Sequence, residues 1–305
     1  MSLKDPLALG TVFPPRAVVI DDEYLGRYLD GVGARDNLWY VASSPYGRPI
    51  CPATIFFYEP SNFLIAEGSY ALRHHDIGRN PFNSGAEWRS FRPAFAGETI
   101  TLEQSVAGRW LNRGREWAIF ELTARNGDGE ILSSCRFKES WASPPDYEPA
   151  LEVRSGRSGD LAVSRDGALL GTSRIGYTFE MSVAFCRPEK DFHTDRELAR
   201  IQGFPDVVLS GPQFCCQMAE LMTRIFGRGF IEGGSINVNM LRPVLAGETI
   251  TAHARDAGHV QDADGATLHK VAIWCENEKG ETTAGGVATA RMVAEDYRPG
   301  VELSV

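Results

Sequence analysis

Nowhere in the 305 residues is there a CxxC pair, a zinc-type ligand spacing or a run of lysines and arginines. The six cysteines, Cys51, Cys135, Cys186, Cys215, Cys216 and Cys275, are too irregularly placed for a disulfide framework or a metal knuckle. They predict reduced, mostly buried thiols in a cytoplasmic protein. A net charge of -9 with no basic cluster would repel a phosphate backbone, which argues against nucleic acid as a partner. Local arginines could still hold an anion such as coenzyme A, because diffuse surface charge is screened within about 8 Å. No stretch approaches the roughly 18 apolar residues of a membrane span. The opening MSLKDPLALG has no apolar core of signal-peptide length, so no membrane association is expected. With 43% apolar and 23% charged residues, the chain has the composition of a globular protein.

What the chain does have is a duplication. Phe91 to Thr101 reads FRPAFAGETIT and Leu241 to Thr251 reads LRPVLAGETIT, 150 positions apart. A second echo, NGDGE at Asn126 and NEKGE at Asn277, keeps almost the same offset. A period this long does not describe a solenoid; it describes two copies of one domain, each large enough for its own core. The predicted division is 1–142 for the first copy, 143–172 for a linker rich in Ser, Gly, Pro and charge, and 173–305 for the second copy.

Within the first copy, Asp21 or Asp22 can cap a helix carrying Tyr24, Leu25, Tyr28 and Leu29 on one face. PICPATIFFY is expected to open a second helix, and Pro60 to shorten it. AEWRSFRP, ETITLEQSVAG, EWAIFELTARN and EILSSCRFKESWA read as strands by alternation and by their Gly or Asn turns. The second copy begins with SRIGYTFEMSVAF, read as a strand. The helix TDRELARIQ follows, with Thr194 and Glu197 matching a capping box. In SGPQFCCQMAELMTRIFGRG, Phe214, Met218, Leu221, Met222 and Ile225 fall on one helical face, and Gly227 or Gly229 ends the helix. Four more strands complete the copy. One long helix before a run of antiparallel strands predicts an α+β unit in which the sheet wraps the helix.

HTDRELARIQGFPDVVLSG, the helix after it and LRPVLAGETIT resemble the MaoC-like and R-specific enoyl-CoA hydratase family. The resemblance implies a double hot-dog fold: two fused hot-dog domains, each an antiparallel sheet wrapped around a central helix. It implies a lyase of fatty acid metabolism that hydrates a 2-enoyl thioester to the 3-hydroxyacyl thioester, or the reverse. DNLWYVASSPYGRPICPATI looks like a degenerate copy of the same loop, with Trp39 near the histidine position and Cys51 and Pro52 in place of a His-Gly pair. The N-terminal half is therefore expected to be non-catalytic.

Hydration needs a base for water, an acid for the alpha carbon and a donor for the enolate oxygen. By the resemblance, His193 is the base and the backbone N–H of Gly211, opening the central helix, is the oxyanion donor, with Ser210 beside it in the substrate site. The family's aspartate has no counterpart, since Pro188 stands at its position and Lys190 at that of the asparagine, while Ser210 replaces a histidine. Asp191, Glu189 and Asp195 are the nearby carboxylates. Asp191 is the catalytic candidate, although a solvated loop also explains it, and Asp195 suits a helix N-terminus.

The other chemistry-bearing residues have plainer readings. His74 and His75, adjacent in sequence, do not form a metal site by themselves. His253, His259 and His269 belong to strands. Cys215 and Cys216 read as packing, as do Met218 and Met222. Arg92 and Arg242 are candidates for structural ion pairs or coenzyme A contacts. No cofactor is expected beyond coenzyme A as part of the substrate. The partner is an acyl-CoA or acyl-carrier thioester, and the arrangement leaves room for a homodimer. Two other readings keep the fold: a hot-dog acyl-CoA thioesterase, in which Asp191 or Glu189 activates water, and a non-catalytic acyl-thioester-binding protein with a decayed loop.

Overall fold

The computed structural model describes residues 7–58, 82–142, 151–155, 164–186 and 191–305. Pro60, His74, His75, Pro188, Glu189 and Lys190 lie outside them. The first half contains β1 (Arg16–Val19), α1 (Asp22–Gly31), β2 (Ile50–Cys51), β3 (Phe82–Ser90), β4 (Ala94–Phe95), β5 (Thr99–Asn112), β6 (Arg115–Arg125) and β7 (Ile131–Ala142). The second contains β8 (Leu169–Gly176), α2 (Phe179–Cys186), α3 (Arg196–Ile201), α4 (Gly211–Phe226), α5 (Arg228–Ile231), β9 (Ser235–Met240), β10 (Thr249–Gln261), β11 (Thr267–Asn277), β12 (Thr282–Ala290) and β13 (Val301–Ser304).

Among these residues an 11-stranded sheet runs in the order β1-β5-β6-β7-β3-β9-β12-β11-β10-β8-β13. Apart from β13, the order is a palindrome of the two copies. Its centre is the antiparallel pair β3 and β9, where Glu87 lies opposite Asn237. Those two residues are 150 positions apart, so a pseudo-twofold axis passes between repeat-equivalent positions and joins the halves in one sheet. This is the double hot-dog.

The repeated letters encode a repeated turn. The N–H groups of Phe91 and Arg92 both donate to the Leu132 carbonyl, and those of Leu241 and Arg242 both donate to Thr283. Gly97 and Gly247 take φ of 88° and 94°, a conformation that glycine adopts without a Cβ penalty. Glu98 then accepts from the Phe95 N–H at 3.1 Å and Glu248 from the Leu245 N–H at 2.8 Å. Asn126 and Asn277 each accept two backbone N–H groups in their turns. The ion pairs Arg92–Glu130 at 3.2 Å and Arg242–Glu281 at 3.7 Å are copies of one another. All four side chains are largely solvated, which gives such pairs a structural rather than energetic weight.

Helix α4 is buried along its whole length apart from Arg224. Phe214, Met218, Leu221, Met222 and Ile225 sit in the core, as their spacing predicts. The polar residues of α4 are held by hydrogen bonds: Gln217 donates to the carbonyls of Ser173 and Ile250. Gln213 donates to the Gly31 carbonyl at 2.7 Å, and Glu220 accepts from Asn37 at 2.7 Å. The second half's central helix is thereby fastened to the α1 region of the first half. Burial pushes the Glu220 carboxyl upward against the lowering effect of Arg224.

Four sequence expectations are corrected. SRIGYTFEMSVAF is not one strand: β8 ends at Gly176 and α2 follows, started by a Thr178 hydroxyl that accepts the Met181 N–H. The alternation of Tyr177, Phe179, Met181 and Phe185 mimics a strand, but burial of Ser182, Phe185 and Cys186 follows helical spacing, with Phe185 packed against Gly31 of α1. The N-cap of α3 is Asp195, which accepts from Glu197 and Leu198, and not Thr194; Thr194 instead receives the Asp191 N–H. PICPATIFFY begins with β2 and a 3-10 turn over Ala53–Tyr58 rather than an α-helix. β8 opens at Leu169, inside the stretch read as linker, and the described part at 151–155 bridges Leu111 of β5 through Val153.

The six cysteines are free and buried, and no helix of the described residues is long and apolar enough to cross a membrane.

Candidate functional site

The loop carrying His193 is shaped by one side chain. Asp191 accepts the His193 N–H on Oδ1 at 2.7 Å, and its carbonyl accepts the N–H groups of Thr194 and Asp195. Its own N–H goes to the Thr194 hydroxyl at 3.0 Å. Asp191 is buried, contrary to a solvated-loop reading. An aspartate folding back onto the chain two residues on is a turn device, and here it sets the direction from which His193 leaves the backbone. The Ser182 hydroxyl of α2 fixes the His193 carbonyl at 2.8 Å.

The imidazole is pinned by the strand-like segment after α3. His193 Nδ1 lies 2.7 Å from the Val208 carbonyl oxygen. A carbonyl can only accept, so Nδ1 carries the hydrogen of the neutral ring and Nε2 keeps its lone pair. Val208 is held in turn, by its N–H to the Phe192 carbonyl and by a bridge to Leu245. The Phe192 ring packs on the imidazole with centroids 4.1 Å apart and stacks on Phe204.

His193, Asp191, Ser210 and Gly211 all line one cavity of about 310 Å³. Ser210 is the N-cap of α4 but makes no side-chain cap bond. Gly211 is the first residue of the helix, where N–H groups lack intrahelical partners and the dipole favours developing negative charge. The next residue, Pro212, has no N–H to offer. A side chain at Gly211 would have no room: a Cβ would lie 2.5 Å from the Met240 sulfur and 2.9 Å from the Asn83 Cβ. Gly211→Ala is accordingly expected to displace both neighbours and to cost about 1 to 3 kcal/mol of stability by overpacking, measurable by chemical denaturation.

Asn83 belongs to the first half, as do Phe82, Ser84 and Glu139, which line the same cavity. Glu139 was missed by sequence reading. It sits on β7 with Cys135, Phe137 and Trp141 on the buried face, flanked by Asn83 of β3 and Ala118 of β6. Only 4% of it is exposed, and its Oε2 is buried with no hydrogen-bond partner among the described residues. Burial alone pushes its carboxyl from 4.5 up to about 7.

That shift has a thermodynamic sign. The unfolded chain releases this proton near 4.5 and the folded chain near 7, so between these values the native state binds more protons and stability falls as pH rises. At about 1.4 kcal/mol per unit, the penalty at pH 8 is roughly 3 kcal/mol. Glu139→Gln is expected to remove much of it at pH 8 and to change nothing at pH 4, as read by urea denaturation at the two pH values.

The remaining candidates are not in the cavity or not reactive. Asp195 caps α3. Cys215 and Cys216 are fully buried, and burial pushes both thiols upward, away from thiolate chemistry. His253 stacks on Trp274, and His259 faces His269 across β10 and β11. Arg242 lines the cavity beside Pro243 while pairing with Glu281. Among the described residues no group of three His, Cys, Asp or Glu side chains could hold a metal ion.

The pseudo-twofold predicts a twin cavity, and its place is filled. The positions equivalent to Ser210, Gly211, Arg242 and Pro243 are Cys51, Pro52, Arg92 and Pro93, which enclose a space of only about 20 Å³. Trp88, which stands where the second half has Val238, occupies it against Phe230 at 5.5 Å.

No family model matches the chain, and no curated protein matches its sequence. Solved structures do match over nearly its full length. A MaoC-like dehydratase superposes with a TM-score of 0.68 at 16% identity, covering 94% of this chain and 99% of its own. A conserved hypothetical protein of Mycobacterium tuberculosis with a double hotdog fold gives 0.58 at 14%, covering 93% and 95%. A Lactobacillus plantarum protein assigned as an oleoyl thioesterase gives 0.57 at 13%, covering 95% and 99%. At these identities the likeness is one of fold.

Proposed function

We propose that the cavity binds an acyl-CoA or acyl-carrier thioester and that the protein is a hydratase/dehydratase, adding water across a 2-enoyl bond or removing it. The observation that carries this reading is the bond from His193 Nδ1 to the Val208 carbonyl, which leaves Nε2 as a base in a cavity walled by Phe192, Phe204, Phe214 and Met240. In the hydration direction His193 Nε2 takes a proton from water, and the oxygen adds to the beta carbon. The electron pair moves toward the thioester oxygen, where the Gly211 N–H at the start of α4 stabilises it; such a donor typically contributes a factor of about 100 to 1,000. Asp191 orients the His193 backbone and is a positioning residue in this scheme.

The same donor and the same pocket would serve thioester hydrolysis, the activity named for one of the neighbouring structures. Of the two carboxylates that reading offers as activators of water, Asp191 already binds the His193 N–H, which favours hydration, and Glu189 lies outside the described residues. A panel of trans-2-enoyl-CoA thioesters of increasing length separates the two. Loss of the enoyl absorbance without thiol release supports the hydratase. Thiol release that leaves the double bond in a free 2-enoic acid supports the thioesterase, and tight binding with neither change supports a binding protein.

A further inference from the structure

Glu139 is a carboxylate on the core face of a strand, its buried Oε2 without a hydrogen-bond partner among the described residues, in the cavity that holds His193. Such a group has no structural use: removing it would relieve a burial penalty, and its strand partners Asn83 and Ala118 do not satisfy it. The duplication offers a control. At the offset set by Asn126 and Asn277, the counterpart of Glu139 is Ala290 on β12, fully buried and apolar. The counterpart of His193 in the degenerate loop is the Trp39 region, also buried. The first half thus carries an ionisable group, Glu139, that its twin lacks, and the second carries His193, and both line the surviving cavity, one from each half.

We infer that Glu139, supplied by the N-terminal half, is the second proton-transfer residue of the site, acting with His193 in place of an aspartate in the His193 loop. The inference rests on the hydratase reading given above. In hydration, the water O–H bond breaks with its proton going to His193 Nε2 and the oxygen bonding the beta carbon. The resulting enolate takes a proton at the alpha carbon from the protonated Glu139 carboxyl. The site is then left with an imidazolium and a carboxylate, and the proton returns from His193 to Glu139 through solvent, which restores the starting state. In dehydration the carboxylate removes the alpha proton and the imidazolium protonates the departing hydroxyl. Glu139 shares the cavity wall with His193 and Asp191 of the loop and with Arg242. The first half, expected from sequence to be chemically silent, would then be catalytic.

The test uses the full-length protein and but-2-enoyl-CoA and oct-2-enoyl-CoA as probes, with butanoyl-CoA as a non-reacting ligand. Glu139→Gln is expected to lower kcat by a factor of about 100 to 10,000, to leave KM and butanoyl-CoA affinity within about threefold, and to keep its cooperative melt. Glu139→Asp retracts the acid by one methylene and should lose about tenfold to a hundredfold; it serves as the readout if the glutamine variant does not fold. Partial return of activity to Glu139→Ala on adding formate would mark proton transfer rather than shape. A wild-type protein that hydrates the probes alongside a Glu139→Gln variant within threefold of it overturns the inference and leaves the hydratase reading standing. A wild-type protein that binds butanoyl-CoA but hydrates neither probe overturns both.

Discussion

Replacing His193 with alanine is expected to lower kcat for 2-enoyl thioester hydration by a factor of about 100 to 10,000, the usual range for losing a positioned acid/base group. Binding of a saturated acyl-CoA should survive, because the Phe192, Phe204, Phe214 and Met240 walls of the cavity remain. The fold should survive as well. The deletion removes one hydrogen bond, that from Nδ1 to the Val208 carbonyl, and leaves an acceptor beside the vacated space, a loss of about 1 kcal/mol and a Tm shift of only a few degrees. His193→Asn is the sharper variant, since its side-chain N–H can still approach Val208 while offering no base. Both variants should be equally inactive, and only the alanine variant should melt earlier. An alanine variant with full turnover would remove the imidazole from the reaction.

The second large effect falls on the core. Leu221 is wholly buried on α4, where its Cδ1 approaches Gly171 of β8. Leu221→Asp would place an unpaired charge there, which costs about 3 to 5 kcal/mol, and would also remove apolar contacts worth about 2 to 5 kcal/mol in comparable truncations. The terms do not add simply, but a loss beyond about 5 kcal/mol consumes much of the 5–15 kcal/mol that a typical domain has. The variant is expected to be insoluble or to lack a cooperative transition. Leu221→Met, which conserves volume, should lose less than about 1.5 kcal/mol. Chemical denaturation of the three proteins side by side checks the ordering.

The duplication made most of the fold legible, because FRPAFAGETIT and LRPVLAGETIT encode the same turn, the same positive-φ glycine and the same glutamate acceptor twice. The α4 stripe was equally plain, since five apolar residues recur at helical spacing. Local signals failed where two periods overlap: Tyr177 to Phe185 alternates like a strand yet follows a strand–helix boundary. Capping was misplaced by one residue because Thr194 and Asp195 are both competent caps, and the loop's own need for the Thr194 hydroxyl decided between them.

In the site, the sequence pointed to Asp191, His193, Ser210 and Gly211, which the second half brings to the cavity, and overlooked Glu139, which the first half brings. Glu139 was visible in principle, as the odd member of the alternating set Cys135, Phe137, Glu139 and Trp141 on a buried strand face. Proximity in sequence had confined the search for a carboxylate to the neighbours of His193. The pseudo-twofold brings a residue more than fifty positions away into the same cavity, and no local pattern encodes that meeting.

The antiparallel seam between β3 and β9 also determines what the chain becomes if it is divided. Either half alone would present a bare, untwinned strand edge with unsatisfied N–H and C=O groups, together with only one side of the ligand chamber. Separated fragments should therefore be insoluble singly and compatible when produced together, so that complementation in trans would rebuild an assembly the duplication once made covalent.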